Sequence, residues 1–536
     1  MNLLREIFCG EENFSRRIVR LHAALILVSV AFVYVFSYST SPRYTTWGDD
    51  SAIFQLIGKC WAQGLLPYVD LFENKGPLLF FIDALGYTIT PRVGVMLFQI
   101  PAMYFAMLLA WRTLELFTAG TGKFAAAVFM LIYYAAYYLD GNRTEEWSMP
   151  FLMAATYFFL RTLKNSADEK FLCPPTVGAV YGVGFGACIL LRASNAAPIC
   201  CYVLLTAIFL LQAREFKILR QNFLSFVAGA VIICLPFVIY FAAHGALYDA
   251  LYGTILLNVL YTTGTEHYPL NRDYFFYVTI NFLPLLMLIA VSLTGLLRER
   301  NRLLWSGLFV GAAMLLFMMR LRPYIGYCPL IVPTMPLLFA GAAAVSEMYS
   351  APLKRLWHAH GFSFGRLAIK FFSVCVIAVL CLPLWVYVNK PYSTVVAAPS
   401  NNEISTAMIK FSDIIPQNER QSLVTWGRGG FIAELTLTTG LQSREKFFGY
   451  IKAFGETDPS IRATWFEHVE ENPPLWILYC WLKVETDSTR KDSILVKYLG
   501  NKDAELERLL AERYTLRGEA LIYGQVMKLY RLKSAQ

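Results

Sequence analysis

Charge is scarce in this chain of 536 residues: Asp, Glu, Lys and Arg make up 16% of it, against 57% apolar residues. That poverty excludes an ordinary water-soluble globule, in which about a quarter of residues are charged. No CxxC pair occurs, and most of the 11 cysteines, among them Cys188, Cys200, Cys201, Cys234, Cys375 and Cys381, fall inside apolar runs. They read as small core residues, which removes a disulfide framework or a cysteine metal site as the organising principle. Internal repeats and low-complexity segments are missing too. The net charge of +9 is no nucleic-acid signature, because residues 389–536 are nearly balanced and the excess lies on loops between apolar segments.

Long apolar runs are what the chain has in abundance. A span needs roughly 20 apolar residues, and eleven candidates recur near 19–38, 94–116, 123–139, 149–164, 175–191, 196–212, 222–243, 275–297, 303–319, 327–346 and 367–388. The first follows Arg16, Arg17 and Arg20 and precedes no small-residue cleavage site, so it reads as a retained signal anchor with a cytoplasmic N-terminus. Pro77–Thr90 is shorter, carries Asp83 and stops at Pro91-Arg92, the pattern of an interfacial or re-entrant helix. With that run not crossing, Lys123, Arg161/Lys164/Lys170, Arg214/Lys217/Arg220, Arg298/Arg300/Arg302 and Lys354/Arg355/Arg366 all face the cytoplasm. The first outer loop (39–93), Asp140–Trp147, His244–Tyr274, the turn Arg320–Tyr327 and everything after Val388 then share the opposite face.

The expected architecture is a mainly α polytopic membrane domain over 1–388 and a small soluble extracytoplasmic α/β domain over 389–536. In the latter, strand-like runs (Ser422–Trp426, Leu475–Tyr479, Gln525–Leu532) alternate with helix-like ones (Phe431–Thr438, Asp503–Tyr514). Gly427-Arg428-Gly429-Gly430 lacks the full phosphate-binding fingerprint and reads as a plain turn.

Polar chemistry concentrates in Trp47-Gly48-Asp49-Asp50, Gly64–Tyr68 and Phe72-Glu73-Asn74-Lys75-Gly76-Pro77. Charge held at a membrane surface is costly and usually functional. Asp49 and Asp50 are adjacent and point different ways, so one can work while the other caps the helix expected from about Ser51. Asp140–Trp147 adds three carboxylates, Asp140, Glu145 and Glu146, together with Arg143, and the two loops together outline one aqueous cleft. Lys75, Arg143, Arg192, Arg272, Arg320 and Arg322 lie outside, against the positive-inside tendency. A phosphate accounts for retaining such cations, whereas Arg272 reads as a snorkelling side chain. Glu266-His267 is a lone pair, too few ligands to define a metal site, so a divalent ion stays open and no cofactor is assigned. Tyr252, Tyr261, Tyr268 and Tyr274 read as an interfacial belt or the lining of an acceptor groove.

The order Asp49-Asp50, Gly64, Tyr68–Asp70 and Phe72–Pro77 resembles the first outer loop of the GT-C glycosyltransferases, and is most similar to the branch with the protein O-mannosyltransferases and the lipid A aminoarabinose transferase. The likeness covers residues 15–390 in topology, with specific motifs only in the first two outer loops. It implies Asp49 as catalytic base, Lys75 against a lipid phosphate, and Glu145 or Glu146 as the acid that opens the fourth span. Lys75-Gly76-Pro77 stands where the family has Lys-Pro-Pro, Asn74 is inserted before the lysine, and Arg322–Tyr327 only loosely resembles the family's motif before a late span.

The expected catalytic set is therefore Asp49, Asp50, Glu145 and Glu146; the donor-phosphate set is Lys75, Arg143, Arg320 and Arg322; the acceptor or sugar set is Tyr68, Glu73, His267 and Tyr327. The expected reaction is inverting transfer of a sugar from a polyprenyl phosphate to an extracytoplasmic hydroxyl on a glycan, glycolipid or protein, at a bacterial inner membrane. The alternative is a transporter or flippase for a lipid-linked anion. Acids in outer loops and the absence of repeated halves favour the enzyme.

Overall fold

The computed structural model describes residues 7–8, 16–118, 120–166, 171–263, 272–320, 325–360, 402–449, 451–482, 503–522 and 525–533. The expected span 367–388 and the boundary at Val388 lie outside the described residues. Helix α1 (Arg16–Phe36) leads to the first outer loop, which carries two short helices, α2 (Asp50–Ala62) and α3 (Pro77–Ile89). Then follow α4 (Val93–Glu115), α5 (Gly120–Ala136), α6 (Thr144–Asn165), α7 (Pro175–Leu191), α8 (Ala197–Gln212) and α9 (Phe216–Ala243). After α10 (Leu247–Leu251) one π turn intervenes before α11 (Leu257–Thr263), and α12 (Arg272–Asn281), α13 (Leu283–Leu296), α14 (Arg302–Arg320), a 3-10 segment Ile325–Thr334 and α15 (Met335–His360) complete the bundle.

Among the described residues, six helical runs are long and apolar enough to cross a membrane, or seven if the bent pair α12–α13 is one span. They coincide with the expected runs 19–38, 94–116, 196–212, 222–243, 275–297, 303–319 and 327–346. The runs 123–139, 149–164 and 175–191 are helical as well, but α5 and α7 have 17 residues each and α6 opens on Glu145 and Glu146. Helix α3, of 13 residues, is short for a span.

Two features tie the bundle together. Helix α7 places Gly178, Gly182 and Gly186 one turn apart against α9: an added Cβ would lie 2.3 Å from the Asn222 carbonyl oxygen at Gly178 and 2.0 Å from that of Phe226 at Gly182. Small residues at this spacing let backbones approach where no hydrophobic drive exists between helices in lipid. The second is a 71° bend between α12 and α13. Tyr133 Oη donates to the Asn281 carbonyl at 2.6 Å and Tyr137 Oη to Asn281 Oδ1 at 3.0 Å, so polar groups freed by the break are satisfied from α5.

The C-terminal part runs α16 (Asn402–Ile414), β1 (Leu423–Trp426), α17 (Gly429–Thr439), α18 (Ile451–Thr457), α19 (Pro459–Glu471), β2 (Trp476–Leu482), α20 (Ala504–Arg513), β3 (Tyr514–Ile522) and β4 (Gln525–Leu532). The sheet order is β1-β2-β4-β3, with β1 parallel to β2 and the other pairs antiparallel. The sequence signals β1, β2, β4, α17 and α20. Strand β3 carries no such signal, since Arg517, Gly518 and Glu519 interrupt its apolar alternation and the register shifts between Leu516 and Gly518.

Candidate functional site

The loops before α2 and before α6 meet through Asp140. Its Oδ2 accepts from the Asp49 backbone N–H at 3.1 Å, and its Oδ1 is paired with Arg143 Nε. Gly48 has φ +79, and a Cβ there would lie 2.8 Å from Asp140 Oδ2, so only glycine fits this turn. Arg143 extends its other arm to Asp50, with Nη1 2.7 Å from Oδ2. One guanidinium thus bridges the loops before α2 and before α6. Burial raises the Asp140 carboxyl despite Arg143 beside it. At Asp50 burial also pushes upward, but Arg143, Lys75 and Arg428 outweigh it and hold the carboxyl below its ordinary value.

Asp49 occupies the position before α2 and makes no side-chain cap bond; Asp50 is the first helical residue. The carboxylate of Asp49 turns instead toward the C-terminal part, at Arg428. Arg428 Nε lies 3.1 Å from Oδ1, and Nη2 pairs with Oδ2. Gly430, in the first turn of α17, is so close that a Cβ would sit 2.0 Å from Asp49 Oδ1. The contact extends around them: Thr46 Oγ1 donates to Glu434 Oε2 at 3.2 Å, and Ile432, Ala433 and Phe448 share a buried cluster with Ile53, Leu56, Trp147 and Phe241. Burial pushes the Glu434 carboxyl up to about 7, against the hydrogen bonds from Thr46 and the Trp47 backbone and the charge of Arg92.

Lys75 Nζ contacts Glu73 Oε1 at 3.2 Å and Asn74 Oδ1 at 2.6 Å. Gly76 N–H donates to the Leu191 carbonyl at 2.9 Å, and a Cβ on Gly76 would overlap the Leu190 oxygen at 2.1 Å. Proline, which has no N–H and more bulk, does not fit there, which accounts for Lys-Gly-Pro in place of Lys-Pro-Pro. The extra Asn74 is held by Asn258, which donates to its carbonyl at 2.7 Å and accepts from its amide at 3.1 Å. Tyr68 is fully buried at φ +70, and its hydroxyl donates to the Lys75 carbonyl at 2.7 Å. It supports the Lys75 backbone from beneath. Phe72 is packed by Phe447, Phe454 and Tyr252, so the C-terminal part also grips this loop.

Glu145 and Glu146 part company at the start of α6. Glu145 Oε1 meets Arg192 Nη1 at 2.9 Å, and the Arg192 guanidinium lies 4.2 Å from the Tyr327 ring centroid. Glu146 accepts from Tyr138, from Gln99 Nε2 at 3.0 Å and from the Asn142 N–H at 2.7 Å. Arg192, Asp140 and Arg428 fall outside the expected site sets, although Arg192 stands among the retained cations, Asp140 among the acids of Asp140–Trp147, and Arg428 in a glycine turn read as plain. Arg320 ends α14. Arg322, Glu266, His267 and Tyr268 lie outside the described residues. Among the described residues no group of three or more His, Cys, Asp or Glu could hold a metal ion.

Residues 11–388 match a family model described as putative competence-induced protein Ccs4 N-terminal domain. No curated protein matches the chain in sequence. Among solved structures, the chain is similar to ArnT from Cupriavidus metallidurans bound to undecaprenyl phosphate, at 12% identity and a TM-score of 0.58, over 96% of this chain and 98% of that one. It is also similar to the archaeal oligosaccharyltransferase AglB from Archaeoglobus fulgidus in complex with an inhibitory peptide and a dolichol-phosphate, at 12% identity and a TM-score of 0.46, over 97% of this chain and 75% of that one. The chain shares the fold of that ArnT structure, and the protein is a multi-pass membrane protein.

Proposed function

The chain belongs to the family described as putative competence-induced protein Ccs4 N-terminal domain, and on the premise of its GT-C fold we propose that it transfers a sugar from a polyprenyl-phosphate donor to a hydroxyl of an extracytoplasmic acceptor. One observation carries the reading: Asp49, with Asp50 beside it, stands about one-third exposed in a loop joined by Arg143 to the loop of Glu145, with Lys75 near enough to act on Asp50. A base and phosphate-binding cations at one end of such a bundle suit a donor whose lipid tail lies between helices.

In this mechanism the acceptor oxygen attacks the anomeric carbon and gives its proton to Asp49, while the bond from that carbon to the phosphate oxygen breaks and inverts the centre. Lys75, oriented by Glu73, Asn74 and Tyr68, offsets charge on the departing polyprenyl phosphate. Arg143 positions Asp50 and Asp140, Arg192 holds Glu145 beside Tyr327, and Arg320 and Arg322 remain candidates for the phosphate. His267 remains a candidate for the acceptor. A positioned base contributes roughly two to four powers of ten in rate.

The reading places the enzyme in a bacterial inner membrane with the soluble domain outside. The test is purified protein in liposomes supplied with undecaprenyl-phosphate-linked sugars and hydroxyl acceptors. Transfer without vectorial movement supports the enzyme; movement of the intact lipid-linked sugar without transfer makes it a transporter.

A further inference from the structure

We infer that Arg428 is a donor-phosphate ligand held in reserve: its guanidinium exchanges the Asp49 carboxylate for the phosphate of the lipid-linked donor, and so frees Asp49 to accept a proton only when donor is seated. This rests on the glycosyl-transfer reading above and adds a residue to it from the soluble domain.

In the structure both carboxylate oxygens of Asp49 are engaged by one guanidinium. A carboxylate held this way has both oxygens occupied as acceptors, so it cannot take a proton from an acceptor hydroxyl until the partner leaves. The guanidinium fork suits a phosphate as well as a carboxylate. An exchange from one to the other therefore keeps two charge-assisted hydrogen bonds throughout.

Position supports the exchange. Arg428 and Asp49 are 25% and 32% exposed, so a ligand can reach the pair, whereas the Arg143–Asp140 pair is sealed at 12% and 1%. Arg143 is also committed to Asp50, and Arg192 is committed to Glu145 and Tyr327. Arg428 follows Gly427, at φ +146, and precedes Gly429 and Gly430. A side chain at Gly430 would drive the turn away from Asp49. The glycines thus let a plain turn deliver one long side chain onto the acid.

The test is binding of undecaprenyl phosphate, with undecaprenol as control, to full-length protein in nanodiscs, with folding checked by thermal unfolding. Arg428→Ala is expected to weaken phosphate-dependent binding about tenfold, the scale of a lost charge-assisted hydrogen bond. Asp49→Asn, which removes the competing carboxylate, is expected to strengthen binding by several-fold, and the double variant to bind like Arg428→Ala. Arg428→Lys, which keeps the charge without the fork, should fall between wild type and Arg428→Ala and guards against a folding defect in the alanine variant. Opposite shifts for Asp49→Asn and Arg428→Ala are what a purely structural ion pair would not give. Weakening in both, or unchanged binding in Arg428→Ala and Arg428→Lys, overturns the inference and leaves the glycosyltransferase reading standing. Equal binding of undecaprenol and undecaprenyl phosphate by the wild type overturns both.

Discussion

Asp49 and Asp50 each meet a guanidinium and keep about a third of their side-chain surface open, whereas Glu145 and Glu146 are both buried and only Glu145 meets an arginine. The two acid pairs look equivalent in sequence, since each comes just before or at the start of a helix beside a tryptophan. Their surroundings assign them different work. Asp49 is held by a long, partly exposed cationic side chain that can be displaced, while Glu146 is held by a phenol, an amide and a backbone N–H built into the bundle. Charged partners at an open surface suit a group that must change partners during a reaction, and neutral donors in a closed one suit a group that fixes two loops.

The comparison breaks first at Asp49. Asp49→Asn is expected to lower single-turnover transfer from lipid-linked sugar by roughly two powers of ten or more, and Asp50→Asn by less than about tenfold. Equal losses in the two variants would erase the distinction between them, and a normal rate in Asp49→Asn would remove it as the base. Next in size is Glu146. Glu146→Ala leaves the Tyr138, Gln99 and Asn142 donors without their acceptor and should destabilise the protein by about 3 kcal/mol in denaturant unfolding. Glu145→Gln, which can still accept from Arg192, should cost less, about 1.5 kcal/mol. A Glu146→Ala variant as stable as wild type would show that its network is not structural.

The smallest expected effect is the pH response of the contact between the soluble domain and the first loop. Glu434 has a carboxyl value of about 7 when docked, against an ordinary 4.5. Between those values the docked state binds a proton that the separated state does not. Docking is therefore strongest toward the acidic side and weakens as pH rises through about 7. Protease protection of residues 402–449 should fall over that window, and Glu434→Gln should flatten the fall. A slope unchanged by Glu434→Gln would assign the response elsewhere.

Asp49, Lys75, Arg143 and Glu145 are legible in the sequence because charge is rare there and each stands beside an apolar run. The α/β character of the soluble domain is legible from its alternating runs. What pattern alone does not supply is partnership across distance. Arg428 sits in an unremarkable glycine turn, and its role emerges only when α17 packs on α2. Gly178, Gly182 and Gly186 show their spacing in the sequence, but nothing there says that α9 is the helix they meet. Tyr68 reads as a site residue by its place in the motif, yet the structure sets it below the site, under the Lys75 backbone.

The contact between Asp49 and Arg428 joins residues 379 positions apart. At about 5–20 residues per second, a ribosome needs roughly 20 to 75 s to pass from one to the other. For that interval the first loop exists without the arginine that pairs with Asp49. The glycine turn, Arg428 and the Phe447 and Phe454 rings that pack on Phe72 follow close together in the chain, long after the loop they contact. A nascent chain halted before residue 428 would be a membrane-inserted protein whose acidic loop is fully translated and structurally unfinished.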